Sequence, residues 1–347
     1  MSRFLQLHLL TFVPPANLNR DDTGRPKTAV VGGATRLRLS SQALKRAWRT
    51  SAVFQEALKG HIGRRTQRLG EFIVTQLRER GVAEAEAVKV ARQIVPLFGK
   101  VKPEKDPNPT RTEQLAFIAP EEAAAALELA VRLASGEGLT PKPEEVLRRS
   151  DTAADIALFG RMLADNPNYN REAAAQVAHA ITTHRVTVED DYYTAVDDLK
   201  TPSEDAGAGF VGEAAFGSGV FYLYLCADTA LLAKNLGDDT ALAMTAAGAL
   251  VEAAATTLPR GKQNSFAAHA RAHYVLAERG DEQPRSLAGA FARPVPTDGD
   301  VMAGSVAALR SFRAALATAY GPGCGAEYEM LVGERGSLPE LVAFCRG

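Results

Sequence analysis

Three cysteines in 347 residues, Cys226, Cys324 and Cys345, are too few and too scattered for a disulfide framework, and no C-x-x-C pair is present to hold zinc or run thiol chemistry. A reducing cytoplasm is the expected compartment. Long apolar runs are missing as well: Thr240 to Leu258 is mostly alanine with Glu252 inside, far from the roughly 20 strongly apolar residues that cross a bilayer. No membrane partner is expected. The first residues, Phe4-Leu5-Gln6-Leu7-His8-Leu9-Leu10, are interrupted by Gln and His and run into Pro14-Pro15, unlike the uninterrupted apolar region of a signal peptide. Nucleotide boxes are absent, since Gly32-Gly33, Gly160 and Gly217-Ser218-Gly219 fit neither G-x-G-x-x-G nor G-x-x-x-x-G-K-[ST]. No G-x-S-x-G occurs and no cysteine sits in an activating constellation, so a nucleophile enzyme has no support. No cofactor is expected.

What is present is an ordinary globular composition, 46% hydrophobic and 23% charged, long enough for a sizeable core and, at roughly 150 residues per domain, for about two domains. The net charge of −1 conceals a split. Residues 1–100 hold 18 Lys/Arg against 7 Asp/Glu, and residues 101–347 hold 22 against 34. The two parts of the chain carry opposite fields.

Leu5, Leu7 and Leu9 alternate with Gln6 and His8, which predicts a strand with one face buried. Pro14 to Thr35 reads as a long loop, with Gly32-Gly33 as a breaker. Arg36-Leu37-Arg38-Leu39 predicts a short strand with cations on its open face, and Ser40-Ser41 then offer capping hydroxyls to a helix whose apolar stripe is Leu44, Ala47, Trp48, Ala52 and Leu58. Further helices are predicted at about 65–80, 83–98, 121–134, 229–236, 240–257 and 301–320. Strands are predicted at Ile156 to Phe159, within Val177 to Val186, at Val220 to Leu225 and near 265–277, and a C-terminal pair of elements, Tyr328 to Val332 and then Leu338 to Cys345, completes the chain. Thr201 to Gly219, rich in Gly, Ala, Ser and acids, reads as a protruding hairpin or arm. Strands, then a helical excursion, then strands and helices again predict a discontinuous α+β domain.

The strongest local feature is a basic run, Arg20, Arg25, Lys27, Arg36, Arg38, Lys45, Arg46 and Arg49, opposed only by Asp21 and Asp22. It straddles a helix start where Ser40, Ser41 and Gln42 add polar groups, a pattern suited to a line of phosphates; the plainer alternative is a solvated basic face. Asp21-Asp22 can be read as a Mg²⁺ pair for phosphodiester cleavage or as acids paired with an Arg-rich loop. Asp190-Asp191 and Asp197-Asp198 present the same choice. His179 and His184 have no third ligand in view and read as core or turn residues. Tyr192-Tyr193 can stack on bases, whereas Phe221 and Tyr222 read as core of a strand.

Taken in order, Leu18-Asn19-Arg20-Asp21-Asp22, Arg36 to Ala47, Asp155 to Met162, Ala178 to His184, Thr194 to Leu199 and Gly217 to Tyr222 resemble the CasC family of the Cas seven superfamily. That family supplies the backbone subunit of Cascade, the type I-E CRISPR surveillance complex. The resemblance covers residues 1 to about 270, weakly over 60–150. It implies an RRM-like, ferredoxin-like palm (1–60 and 151–347), a mainly helical fingers insertion (61–150) and a protruding β-hairpin thumb at about 190–220. It further implies a non-catalytic subunit, copies of which stack head to tail along guide RNA, holding its backbone without reading sequence and displacing bases periodically, so that the guide pairs with target DNA in antiviral defence. The large, small, tail and crRNA-processing subunits of Cascade are the implied partners. Residue by residue it assigns Arg20, Lys27, Ser40, Gln42, Lys45, Arg46, Arg49, Arg161, Lys262 and Gln263 to the RNA, places Met162 as a wedge beside bases, and puts Tyr192, Tyr193, Phe210, Val211 and Phe216 on the thumb and its contacts with a neighbouring copy. No metal is implied. The rival functions are a Mg²⁺-dependent ribonuclease using Asp21 or Asp22 and, without any motif, a phosphate-binding small-molecule enzyme.

Overall fold

The computed structural model describes residues 2–138, 140–195 and 210–347, so Asp197, Asp198 and the segment from Thr201 to residue 209 lie outside the described residues. In chain order the elements are β1 (Phe4–Ala16), β2 (Thr28–Val31), β3 (Ala34–Leu39), α1 (Ser41–Arg49), α2 (Ala52–Ala57), β4 (Arg64–Thr66), α3 (Leu69–Glu79), α4 (Glu84–Ile94), β5 (Ala116–Ile118), α5 (Pro120–Ala134), α6 (Pro143–Val146) and α7 (Ala154–Phe159). They continue with β6 (Ala175–Val177), β7 (Ala180–Thr182), β8 (Glu189–Ala195), β9 (Phe210–Asp228), α8 (Thr229–Asn235), α9 (Thr240–Thr256), α10 (Gln263–Phe266), β10 (Tyr274–Gly280), α11 (Val301–Tyr320), β11 (Ala326–Leu331) and α12 (Leu338–Arg346). Two compact units divide the chain: one of residues 1–54, 177–226 and 248–347, the other of residues 55–176 and 227–247. This is a mixed α+β fold.

The first unit is built on a sheet of order β11-β10-β1-β9-β7-β3-β2, with β8 paired to the distal part of β9. Its pairings β1–β10, β10–β11, β2–β3, β3–β7, β7–β9 and β8–β9 are antiparallel. Leu10, Tyr222, Tyr274, Leu276, Leu287, Phe291 and Leu309 form one of its cores. The alternation of β1 is real, but both of its faces are covered. His8 is fully buried, and burial lowers its pKa, so the ring is neutral. In the tautomer that fits its partners, Nε2–H donates to Glu278 Oε2 at 3.3 Å and Nδ1 accepts from the Tyr222 hydroxyl at 2.9 Å, which itself accepts the Leu287 N–H. Gln6 is satisfied in the same way, its Oε1 accepting from the Tyr224 hydroxyl and the Arg285 N–H. Polar residues stand on the inner face because partners on β9 and β10 complete their hydrogen bonds.

The second unit is helical. Leu69, Ile73 and Leu77 of α3, Val90 and Ile94 of α4, and Ala126, Leu129 and Ala130 of α5 recur at three- and four-residue spacing and bury against one another. Pro120 at the first turn of α5, followed by Glu121 and Glu122, supplies the fixed φ and the negative charge that a helix N-terminus favours.

Several sequence expectations change. Pro14 to Thr35 is not one loop: β1 runs to Ala16, and Thr28–Val31 pairs with Ala34–Leu39 through a two-residue turn at Gly32-Gly33, both with positive φ. That geometry closes a tight hairpin and favours glycine. Ile156 to Phe159 is helix α7, because a short apolar run buried on all sides has the same pattern in either state. The strand expected near 265–277 begins only at Tyr274; before it lies α10, entered and left through left-handed Lys262 and Ala267. Arg36 does not face open solvent. Its guanidinium is buried and donates to the carbonyls of Thr182 at 2.9 Å and Phe291 at 3.0 Å. Among the described residues no helix is long and apolar enough to cross a membrane.

Candidate nucleic-acid interface

The first unit gathers most of the predicted binding residues at the start of α1. Leu44, Ala47 and Trp48 anchor one face of that helix in the core, and the Trp48 indole N–H donates to the Thr257 carbonyl at 3.1 Å. Gln42 and Arg46 are exposed on the other side, with Lys45 and Arg49 half-buried beside them. Ser40 is the N-cap, its buried hydroxyl accepting the Ala43 N–H at 3.3 Å, so its part is to build the helix start.

The preceding segment is pinned to the same place. Asn19 Oδ1 accepts the Ser40 N–H at 2.8 Å, the Asn19 carbonyl accepts the Lys27 N–H at 2.9 Å, and the Lys27 carbonyl accepts the Arg38 N–H at 2.8 Å. Between these anchors Asp21 Oδ1 accepts from the Thr23 hydroxyl and from the Thr23 and Arg25 N–H groups, and the Thr23 hydroxyl leads in holding its pKa low. The Asp21 carboxylate shapes the turn that displays Arg20 and Lys27. Arg25 is drawn aside by Asp190 at 2.6 Å.

Arg20 also meets the loop after α9. An open cavity of about 610 Å³ is lined by Arg20, Arg260, Lys262, Gln263, Asn264, Ser265 and His269. A second, of about 360 Å³, shares Arg260, Gln263 and His269 with the first and reaches Ala47 and Thr50 at the end of α1. Gly261 makes this approach possible, because a Cβ there would lie 2.4 Å from the Leu18 carbonyl oxygen and 2.6 Å from that of Asn17. The family resemblance marked Lys262 and Gln263; it did not mark Arg260, Asn264, Ser265 and His269, although the cations flanking Gly261 were a usable signal.

Among the described residues Arg20, Lys27, Lys45, Arg46, Arg260 and Lys262 form no ion pair. Burial lowers the pKa of Lys45, which marks a cation held partly out of water without an acid beside it. Cations spaced along one surface without counter-charges create a positive local field. His179 adjoins it with Nδ1 2.8 Å from Arg38 Nη1, kept neutral by burial and by the charges of Arg38 and Lys27. His184 is a core residue whose Nε2 accepts the Val220 N–H.

The β8–β9 hairpin has the opposite character. Glu189, Asp190, Asp191 and Glu213 are its charged groups, and its described residues include no Lys or Arg. Tyr193 lies across Gly212 and packs on Phe210 at 6.2 Å between ring centroids, while Tyr192, Phe210 and Val211 are exposed. Phe216, nearer the root, packs against Phe266 of α10 with its ring tilted by 44° at 5.9 Å between centroids. Aromatic area and negative charge suit a cationic protein surface better than a phosphate chain. Phe221 and Tyr222 are core, as expected.

In the second unit Met162 stands out in solvent, whereas Arg161 does not reach it. Arg161 is corrected from an RNA contact to a buried ion-pair partner of Glu122 at 2.5 Å, with further donations to the carbonyls of Arg148 and Tyr169. One group of three potential metal ligands occurs among the described residues, Glu278, Cys324 and Glu327, and Arg313 already bonds to all three.

Nothing matches among curated proteins. Over 99% of both chains the fold is similar to a solved chain titled "CRISPR RNA-guided surveillance complex, pre-nicking", at 32% identity and a TM-score of 0.86. A chain titled "CRISPR RNA-guided surveillance complex" matches at 27% identity and a TM-score of 0.74, again over 99% of each. The pattern of the CT1975-like protein family, Cas_CT1975, matches residues 5–339, well beyond the blocks that carried the sequence resemblance, and the chain belongs to that family.

Proposed function

We propose that this chain is the backbone subunit of a type I-E CRISPR RNA-guided surveillance complex. In this reading copies stack along a guide RNA in the cytoplasm and hold its ribose-phosphate backbone without reading its sequence. The observation that carries it is the unneutralised stripe of Arg20, Lys27, Lys45, Arg46, Arg260 and Lys262 in a chain that aligns end to end with a surveillance-complex subunit. Phosphates supply the missing negative charge, and cations spaced along a groove bind any sequence alike. Gln42, Arg49 and Gln263 complete the groove, and the Ser40 cap presents the helix start.

The first unit, with its large antiparallel sheet, takes the part of the RRM-like palm, residues 61–150 that of the fingers, and the acidic aromatic hairpin that of the thumb. A hairpin carrying Tyr192, Tyr193, Phe210 and Val211 docks on a neighbouring copy, since opposite fields on one chain favour a heterologous contact that repeats into an open helix. Bases displaced at each repeat leave the segments between them free to pair with target DNA, so specificity resides in the guide. The remaining subunits of the complex cap and decorate the filament. The chain acts without catalysis, and the use of Asp21 Oδ1 in its own turn supports that reading.

The test is to incubate the purified chain with labelled single-stranded RNA, with and without Mg²⁺, and follow complex size and RNA length. Large complexes with intact RNA are expected. Mg²⁺-dependent shortening that Asp21→Ala or Asp22→Ala removes would establish the ribonuclease instead.

A further inference from the structure

Within the first unit, the root of the β8–β9 hairpin is fastened to both sides of the basic groove. Asn17, 2% exposed, donates through Nδ2 to the Ala215 carbonyl of β9 at 2.8 Å and to the Gly24 carbonyl at 2.9 Å, so one side chain ties the hairpin to the turn that displays Arg20 and Lys27. Asp190, opposite Ala215 in the hairpin, meets Arg25 of the same turn. On the other side Phe216, the next residue of β9, packs its ring on Phe266 of α10, in the loop that carries Arg260 and Lys262. That loop needs a hold. Its helix has four residues, too few to persist alone, and is entered through Lys262 at φ 51° and left through Ala267 at φ 47°, left-handed conformations that L side chains keep only where their surroundings impose them. The Lys262 carbonyl accepts the Ser265 and Phe266 N–H groups, which closes the turn without seating it. Phe266 is the one large apolar side chain from Gly261 to Ala270, and its ring lands on the hairpin root.

We propose that Phe216 and Phe266 are positioning residues for the RNA groove, their contact holding Arg260 and Lys262 in place for the phosphate chain. This rests on the RNA-backbone reading above. It gives Phe216 a task inside its own chain, in place of the contact with a neighbouring copy that the family resemblance implies. A tilted aromatic pair has a preferred geometry as well as apolar area, so it fixes where the loop sits. Cations on a loose loop would lose ordering entropy on meeting phosphates, and a seated loop removes that cost before RNA arrives.

The experiment titrates the full chain, over a range of salt, with a labelled single-stranded RNA too short to hold two copies. The natural chain binds with a salt-dependent affinity. Phe216→Ala and Phe266→Ala each weaken binding, and each flattens the dependence of log affinity on log salt by about 1.4, twice the increment for one phosphate contact on a single strand. Phe266→Tyr keeps the ring and restores both. In a chain that already carries Arg260→Gln and Lys262→Gln, Phe266→Ala brings no further loss, because the cations it positions are gone. An unchanged salt slope in Phe216→Ala, the result if that ring serves only a neighbouring copy, overturns the proposal. A further loss from Phe266→Ala in the chain without the two cations overturns it as well. Failure of the natural chain to bind RNA is a different result and defeats the underlying reading first.

Discussion

Asn19 Oδ1 accepts the N–H of Ser40 at 2.8 Å, and this single bond joins the basic segment to the start of α1. Ser40 is buried, so removing the acceptor leaves its N–H unsatisfied, at a cost of about 1–3 kcal/mol. Asn19→Ala is therefore expected to lower the urea midpoint and to weaken RNA binding together, because Arg20 and Lys27 lose their frame. Asn19→Asp, which keeps the acceptor, should recover stability; a neutral Asn19→Ala would show that the frame does not depend on this bond.

Charge reversal at α1 tests the groove. Lys45→Glu with Arg49→Glu should abolish RNA-templated assembly while the circular dichroism of the chain stays the same. The milder Lys45→Gln should flatten the dependence of log affinity on log salt by about 0.7, the increment for one phosphate contact on a single strand. An unaltered slope would remove Lys45 from the interface.

Gly261 lies against the Leu18 and Asn17 carbonyls, where a methyl group has no room. Gly261→Ala should displace the 260–269 loop from Arg20 and reduce RNA affinity by about tenfold, roughly 1.4 kcal/mol. Titration of the folded variant with unchanged affinity would exclude that loop from the groove.

Glu278 sets an acid limit to the fold. Burial pushes its pKa up, yet the hydrogen bonds from His8 and Arg313 and the charge of Arg285 prevail and hold it at about 2. A depressed carboxyl pKa stabilises the fold above the unfolded value, near 4.5, and that contribution disappears as pH falls toward about 2. Melting temperature should therefore drop across that window. Glu278→Gln, which leaves Arg313 and Arg285 without their buried counter-charge, should cost about 3 kcal/mol at neutral pH and flatten the acid dependence. An equally steep acid drop in the variant would place the limit elsewhere.

Legibility followed physical locality. The cap and apolar face of α1 and the spans of α9 and α11 were readable because helix periodicity and capping are local, and α11 begins and ends where its pattern predicts, at Val301 and Tyr320. The basic run was readable as composition, whereas Lys262 and Gln263 entered through the family resemblance. Arg36 and Arg161 were not: the sequence shows an arginine, and only a partner elsewhere in the fold reveals whether it faces water or a buried carbonyl or carboxylate. The same holds for His8 and Gln6, which looked like the wet face of a strand until β9 and β10 supplied their partners.

Local sequence was enough to fix which cations exist, where α1 and α11 start, and that opposite fields sit on different stretches of one chain, because charge, capping and periodicity belong to neighbouring residues. The tertiary structure alone decided which of those cations remain free. Arg25 and Arg161 are consumed by carboxylates, and Arg36 by buried carbonyls, whereas Arg20 and Lys262, 242 positions apart in the chain, share one open cavity. Ion pairing and desolvation depend on distances of a few ångströms across the fold, and that information no local stretch of sequence carries.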